Sequence, residues 1–263
     1  MLLNYTDSKQ QTPPSQTTPV VLIHGLFGSL SNLGLINRAL VEQGYRTIAV
    51  DVRNHGLSPH SDAMSYTDMA ADVIALLQHL SINACHFIGH SMGGKVGMQV
   101  ALQQPQLVAS LIVADIAPVS YGTNRHNRVL SGLEALQQTT LTSRKEADTL
   151  LANYEPEMGV RAFLLKNLYR KDSGEYSLRL NLKSIIANYE NDLDAAPSGK
   201  SFTGKALFIK GGNSNYIENS HIPTIKSLFP NAKLEEIADA GHWLHAEKSQ
   251  AFNTVCLAFL AED

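Results

Sequence analysis

Four short apolar runs set the terms for the first half of the chain: "VVLI" (20–23), "TIAV" (47–50), "CHFI" (85–88) and "LIVA" (111–114). None alternates apolar with polar residues, so a strand made from any of them must be covered on both faces. Between them, apolar residues recur at helical spacing. Leu33, Ile36, Leu40 and Val41 predict one helix, capped by Ser31 and closed by Gly44. Met69, Val73, Leu76, Leu77 and Leu80 predict another, and a third is expected from Met92 to about Gln103, ahead of Pro105. Short buried strands alternating with helices fold as a parallel sheet covered on both sides, and such sheets bind ligands beyond the carboxyl ends of their strands. "HG" (24–25), Asp51, "GHSMGG" (89–94) and Asp115 all fall at such ends.

The alternation breaks at about Tyr121. From there to Pro197 the chain is richer in Arg, Asn, Gln and Glu and reads as several short helices, with "GEYSLRLNL" a brief extended piece. It resumes at "ALFIKGG" (206–212), a helix ending near Phe229, and "KLEEIADAGHW". A last helix carries Ala251, Phe252, Val255, Cys256, Phe259 and Leu260 on one face. The expected organisation is an α/β core over 1–120 and 198–263, with a helical insertion over 121–197 lying across the carboxyl edge of the sheet as a lid. Only the Gln/Thr/Pro-rich start reads as disordered.

A formal net charge of −3 provides no basic field for nucleic acid or an anionic membrane surface. The N-terminal stretch has no basic start, apolar segment or cleavage site, and no run approaches the roughly 18 apolar residues of a membrane span; a cytoplasmic protein is expected. Cys85 and Cys256, both in apolar runs, read as buried reduced thiols rather than a disulfide or metal ligands.

The stretch "FIGHSMGGKVG" (87–97) satisfies two motifs at once. Gly89 to Lys95 spell G-x-x-x-x-G-K, the start of a phosphate-binding loop; Gly89 to Gly93 spell G-x-S-x-G, the turn that presents a nucleophilic serine. The phosphate loop needs a hydroxyl after its lysine to ligate magnesium, and Val96 stands there. The serine turn needs small residues around a strained serine, which Gly89, Gly93 and Gly94 supply. The helix after Ser91 aims its N-terminus at the reacting centre, so the Met92 N–H is one candidate oxyanion donor. The early loop "HGLFGS" offers the Leu26 N–H as the second.

A serine needs a base, and the order serine, acid, histidine puts it last. His242 follows the last predicted strand and is the candidate, with His245 as the alternative. His24 and His55 sit in turn-like "HG" pairs, and His90 faces away from its neighbour Ser91. The acid is the harder choice. The loop after "ALFIK" reads "GGNSNYI" and has no carboxylate before Glu218; Asn215 could orient an imidazole but not stabilise its charge. Asp115, at the exit of the preceding strand, is therefore favoured over Asp239, which lies too close in sequence to face the right ring nitrogen.

Taken together, "VVLIHGLFGSLSNLG", "DVRNHGLSP", "FIGHSMGGK", "DIAPVSYG", "FIKGGNSNYI" and "AGHWLHAEKS" resemble the YbfF-type bacterial esterases of the α/β-hydrolase superfamily. The resemblance runs from Val20 over nearly the whole chain and weakens in the insertion; Ser249 stands where proline is expected. It implies the α/β-hydrolase fold, a helical cap, and a triad at Ser91, Asp115 and His242. It also implies oxyanion donors at Leu26 and Met92, and action on carboxylic esters with acyl-CoA thioesters as a further class. The chemistry needs no cofactor and no metal.

Phe27 and Trp243, with Leu26 and Met92, flank the expected chemistry and suggest an acyl-binding pocket. Arg125, His126, Arg128, Arg170 and Lys171 could meet a coenzyme A phosphate or simply form a solvated face. Asp51, Arg53 and Ser58 read as loop braces. Haloalkane dehalogenases and epoxide hydrolases of this fold need an aspartate where Ser91 stands. Cofactor-free haloperoxidases, carbon–carbon hydrolases and a non-catalytic binding module remain as alternatives.

Overall fold

The computed structural model describes residues 1–10, 18–122 and 125–262. The strands of its main sheet are β1 (Tyr5–Asp7), β2 (Val20–Ile23), β3 (Thr47–Val50), β4 (Cys85–His90), β5 (Val108–Ala114), β8 (Lys205–Gly211) and β9 (Lys233–Ile237), with β6 (Leu168–Arg170) and β7 (Tyr176–Leu178) pairing separately. The main sheet runs in the order β1-β3-β2-β4-β5-β8-β9 and is parallel except for β1, which pairs antiparallel with β3.

Alternate residues of the same strands enter two cores. Val21, Ile23, Phe87, Leu111 and Val113 face one core with α2 (Tyr66–His79) and α3 (Met92–Gln103). Val20, Leu22, Ile88 and Ile112 face the other, with α1 (Gly34–Glu42) and α10 (Ser249–Ala261). Burial on both faces is what the unalternating runs require. Cys85 and Cys256 lie in these cores as free thiols, and burial pushes both well above their ordinary pKa.

One local expectation changes. Ser31 does not cap α1: a 3₁₀ turn, Leu30–Leu33, precedes it with Ser29 at the cap position. The Asp51 carboxylate accepts from Leu30 N at 2.7 Å and Asn32 Oδ1 from Ser29 N at 2.6 Å, which draws the turn forward. The extreme N-terminus is ordered as β1, held by the Arg46–Asp7 ion pair at 2.7 Å. The Gln/Thr/Pro-rich residues 11–17 lie outside the described residues.

Between β5 and β8 the chain leaves the sheet and forms the helical cap: α4 (Asn127–Gln138), α5 (Arg144–Leu151), α6 (Met158–Leu164), the β6–β7 hairpin and α7 (Leu182–Asn188), closed by a π-helical turn, Tyr189–Leu193. Polar contacts join it to the loops of the sheet edge. Asn54 Nδ2 donates to Ser184 Oγ at 3.1 Å, Asn167 Nδ2 to Phe27 O at 2.7 Å, and Tyr66 OH to Leu193 O at 2.8 Å. No helix among the described residues is long and apolar enough to cross a membrane. The short α8 (Ile222–Leu228) and α9 (Leu244–Glu247) complete the core.

Candidate active site

β4 delivers Ser91 at φ 52°, ψ −120°, a conformation a side chain rarely tolerates. The glycines explain how it is held. A Cβ on Gly89 would lie 2.2 Å from Gly93 O, and one on Gly93 would lie 2.2 Å from Ile23 O. The turn therefore packs backbone on backbone against the end of β2. Ser91 N donates to Ala114 O at 2.9 Å, which ties it to β5 as well.

Asp115 follows β5 and is fully buried, also at positive φ (53°). Its Oδ1 accepts from Gly211 N at 2.9 Å, and Oδ2 accepts from Ser214 Oγ and from His242 Nδ1, the latter at 2.7 Å. The loop that lacks a carboxylate thus contributes the donors that hold one. His242 Nε2 lies 3.0 Å from Ser91 Oγ and accepts its hydroxyl proton. Because Nδ1 faces a carboxylate it carries the ring proton, so Nε2 is free to accept. Asp239 is exposed and makes no contact with His242; Asn215 Oδ1 instead accepts from Arg125 at 3.0 Å.

The Leu26 and Met92 N–H groups find no acceptor among the described residues, and both residues line a cavity with Ser91. Met92 opens α3, where the first N–H groups have no partner within the helix. On the other loop, Phe27 at φ 61° has its own N–H taken up by His55 Nε2 at 3.1 Å, which leaves the Leu26 N–H open.

His55 and His24 carry more than their turn-like settings suggested. Each donates from Nδ1 to a carbonyl, Arg53 O and Gly25 O respectively, and accepts at Nε2 from a backbone N–H. Accepting requires a neutral ring, and burial supplies it, depressing His24 and pushing His55 down to about 3. Asp51 accepts from Asn4, Leu30 and Leu57, Ser58 Oγ donates to Asp51 O at 2.5 Å, and Arg53 pairs with buried Asp72 at 2.6 Å. These contacts brace the loops that follow β2 and β3.

His90 turns away from Ser91, and its Nε2–H donates to His242 O at 2.8 Å. The His245 ring packs on His90 with centroids 4.3 Å apart and the planes tilted by 54°, and it makes no hydrogen bond to Ser91. Tyr216, which the sequence did not single out, stacks on the His242 imidazole at 3.8 Å and 19°, and the Arg125 guanidinium lies over the Tyr216 ring, 4.5 Å from its centroid. The second-loop sequence "NSNYI" carries no signal for this contact.

Two cavities meet at Ser91. The larger, about 290 Å³, is lined by Phe27, Phe163, Trp243 and His242 among others; the smaller, about 40 Å³, by Met92, Tyr121 and Lys95. Leu26 reaches both, so the four flanking residues expected in one pocket are divided between two. Lys95 donates to Asp194 O and Ala195 O, and burial lowers its amine to about 8. Of the five basic cap residues, Arg125 and His126 line these cavities, while Arg170 donates to Gly174 O in the β6–β7 turn.

A parallel sheet whose central strand ends in a serine at positive φ, with an acid after the next strand and a histidine after the last, is the architecture of the α/β hydrolases. The chain belongs to this family: the profile described as alpha/beta hydrolase fold matches residues 18–249. Among individual relatives, it is 38% identical over 247 residues to "Esterase YbfF" of Escherichia coli (strain K12), covering 92% of this chain and 94% of that protein. It is 42% identical over 247 residues to "sn-1-specific diacylglycerol lipase ABHD11" of Xenopus tropicalis, covering 90% of this chain and 76% of that one. Among solved structures, "Marine microorganism esterase" superposes with a TM-score of 0.91 at 36% identity, over 98% of this chain and 99% of that one.

Proposed function

We propose that the protein is a serine hydrolase that cleaves carboxylic esters through an acyl-enzyme. The observation that carries this reading is the unbroken line from Asp115 through His242 to Ser91, with steps of 2.7 and 3.0 Å, beside two uncommitted N–H groups. In the first half-reaction His242 Nε2 takes the Ser91 proton as Oγ attacks the carbonyl carbon. The N–H groups of Leu26 and Met92 receive the negative charge that develops on the carbonyl oxygen. His242 then gives its proton to the departing alcohol oxygen. Water enters, loses a proton to His242, and releases the acid and Ser91. Asp115 stabilises the imidazolium in both halves.

The esterase and lipase names of the relatives agree with this chemistry. Thioesters follow the same acyl-transfer path with a thiol as leaving group, and we include them in the substrate class. Residues 121–197 act as the lid, since α4 and α6 contribute Val129, Val160 and Phe163 to the larger cavity. Ser91→Ala removes the nucleophile and leaves the fold intact. Hydrolysis of p-nitrophenyl acetate by this variant should fall to the uncatalysed rate with unchanged circular dichroism; retained turnover rejects the assignment.

A further inference from the structure

The two cavities at Ser91 share Leu26, Arg125, His126 and Tyr216 but differ in size and in which member of the site they touch. His242 lines the larger one and not the smaller; Met92, one of the two oxyanion donors, lines the smaller one and not the larger. Resting on the ester-hydrolase reading above, we infer that the larger cavity holds the alcohol and the smaller one the acyl group. The protein is then selective for esters that join a short acyl chain to a bulky apolar alcohol.

The reasoning starts from proton transfer. When Ser91 Oγ has bonded to the carbonyl carbon, the bond from that carbon to the alcohol oxygen breaks, and the alcohol oxygen must receive the proton His242 Nε2 took from Ser91. A general acid works only within hydrogen-bond reach. The alcohol oxygen therefore lies on the His242 side of the tetrahedral carbon, and the rest of the alcohol extends into the cavity that His242 lines. The acyl chain, on the remaining substituent of that carbon, is directed past Met92.

Size then sets the selectivity. The smaller cavity, about 40 Å³, has about one seventh of the volume of the larger, about 290 Å³, and so takes a short acyl chain in preference to a long one. Its walls include Tyr66, Ile116, Tyr121, Tyr189 and Leu193, all of them buried or partly buried, together with Asp194 and Lys95, whose amine is held by two carbonyls. The π-helical turn Tyr189–Leu193 closes one side, and Tyr66 OH fixes that turn by donating to Leu193 O. The larger cavity, about 290 Å³, is walled by Phe27, Val129, Val160, Phe163, Leu164 and Trp243, with the Phe163 and Trp243 rings 5.9 Å apart. Such a surface gains from covering an aromatic or branched alcohol. Phe27 and Trp243, flagged in the sequence as an acyl pocket, become alcohol contacts.

The test is a matrix of esters against the full-length protein. One series holds p-nitrophenol and lengthens the acyl chain from acetyl to decanoyl; the other holds acetyl and enlarges the alcohol from methyl to naphthyl. The expected kcat/KM peaks between acetyl and butanoyl and falls at least tenfold by octanoyl, while the acetate series rises at least tenfold with alcohol size. Leu193→Ala should move the acyl optimum to longer chains without changing the alcohol series, and Leu193→Val should do so to a smaller degree if the alanine variant is unstable. Phe163→Leu should weaken the preference for bulky acetates and leave the acyl optimum in place. An acyl optimum at eight carbons or more, or an acyl profile that moves with Phe163 and not with Leu193, overturns the assignment of the cavities while leaving the ester-hydrolase reading intact. Failure of every ester, with no covalent label on Ser91, removes both.

Discussion

Asp115→Asn is the substitution that separates the roles of the site most cleanly. Asp115 accepts three hydrogen bonds, from Gly211 N, Ser214 Oγ and His242 Nδ1. Asparagine has one accepting oxygen and one donating NH₂. The oxygen keeps Gly211 N, because a backbone N–H can only donate. The NH₂ then faces Ser214, which can rotate to accept, and His242 Nδ1, which can accept only by giving up its proton. His242 shifts to the tautomer with hydrogen on Nε2, and Nε2 no longer accepts from Ser91. The imidazolium of the reaction also loses its counter-charge. The same substitution in a serine triad lowers kcat by about 10⁴, or roughly 5 kcal/mol of transition-state stabilisation. The isosteric change keeps the cavity filled, so the melting temperature should change by only a few degrees. The assay is kcat for p-nitrophenyl acetate beside thermal unfolding. Asp239→Asn is the matched control: Asp239 is exposed at φ 56°, a conformation asparagine adopts readily, and should stay within about twofold of the parent. A crippled Asp239→Asn, or an Asp115→Asn that keeps more than a tenth of the activity, refutes the reasoning.

Three further outcomes follow from the same contacts. His55→Leu strips the acceptor from Phe27 N and leaves a buried N–H unsatisfied, at a cost of about 1–3 kcal/mol, with kcat reduced; His55→Gln, whose Oε1 can accept, should recover most of both. Equal behaviour of the two variants in urea titrations and kinetics removes the brace. Gly93→Ala drives a methyl group to 2.2 Å from Ile23 O and should cost about 3 kcal/mol or more, read as a loss of folded protein or a sharply lower urea midpoint; near-parental stability contradicts the packing of the turn. His55 and His245, buried and depressed to about 3 and about 4 by desolvation, are neutral in the fold but protonate near 6.5 when unfolded. Their contribution is fully present above pH 6.5 and is lost as pH falls toward 4, so stability should drop by about 4 kcal/mol between pH 7 and pH 5; a flat urea midpoint over that interval contradicts their burial.

Features encoded within a few adjacent residues were the ones legible in the sequence. Unalternating apolar runs announced the parallel sheet, and the break in composition after Tyr121 announced the helical cap. The glycines around Ser91 declare a crowded turn, and the 2.2 Å approaches at Gly89 and Gly93 are that crowding. Asp115 became the candidate acid because "GGNSNYI" has no carboxylate, an argument from elimination that needed only the strand order. What stayed hidden depends on tertiary contact. Nothing in "HG" says that His55 will take the Phe27 N–H, and nothing in "NSNYI" says that Tyr216 will cover the His242 ring. Asn167, which holds Phe27 O from the cap, is an unmarked asparagine in its own segment. β1 escaped notice because three residues with no apolar pattern form a strand only once the edge of β3 is there to pair with. The division of the flanking residues between two cavities likewise depends on how the cap lies across the sheet.

The central claim is that Ser91 is the nucleophile. It is tested most directly by treating the native protein with a fluorophosphonate, digesting it and locating the adduct by mass spectrometry. A single adduct on Ser91, formed by the parent, absent in Ser91→Ala and strongly slowed in His242→Ala, is the predicted result. An unlabelled Ser91 in folded protein, or an adduct on a different serine, contradicts it.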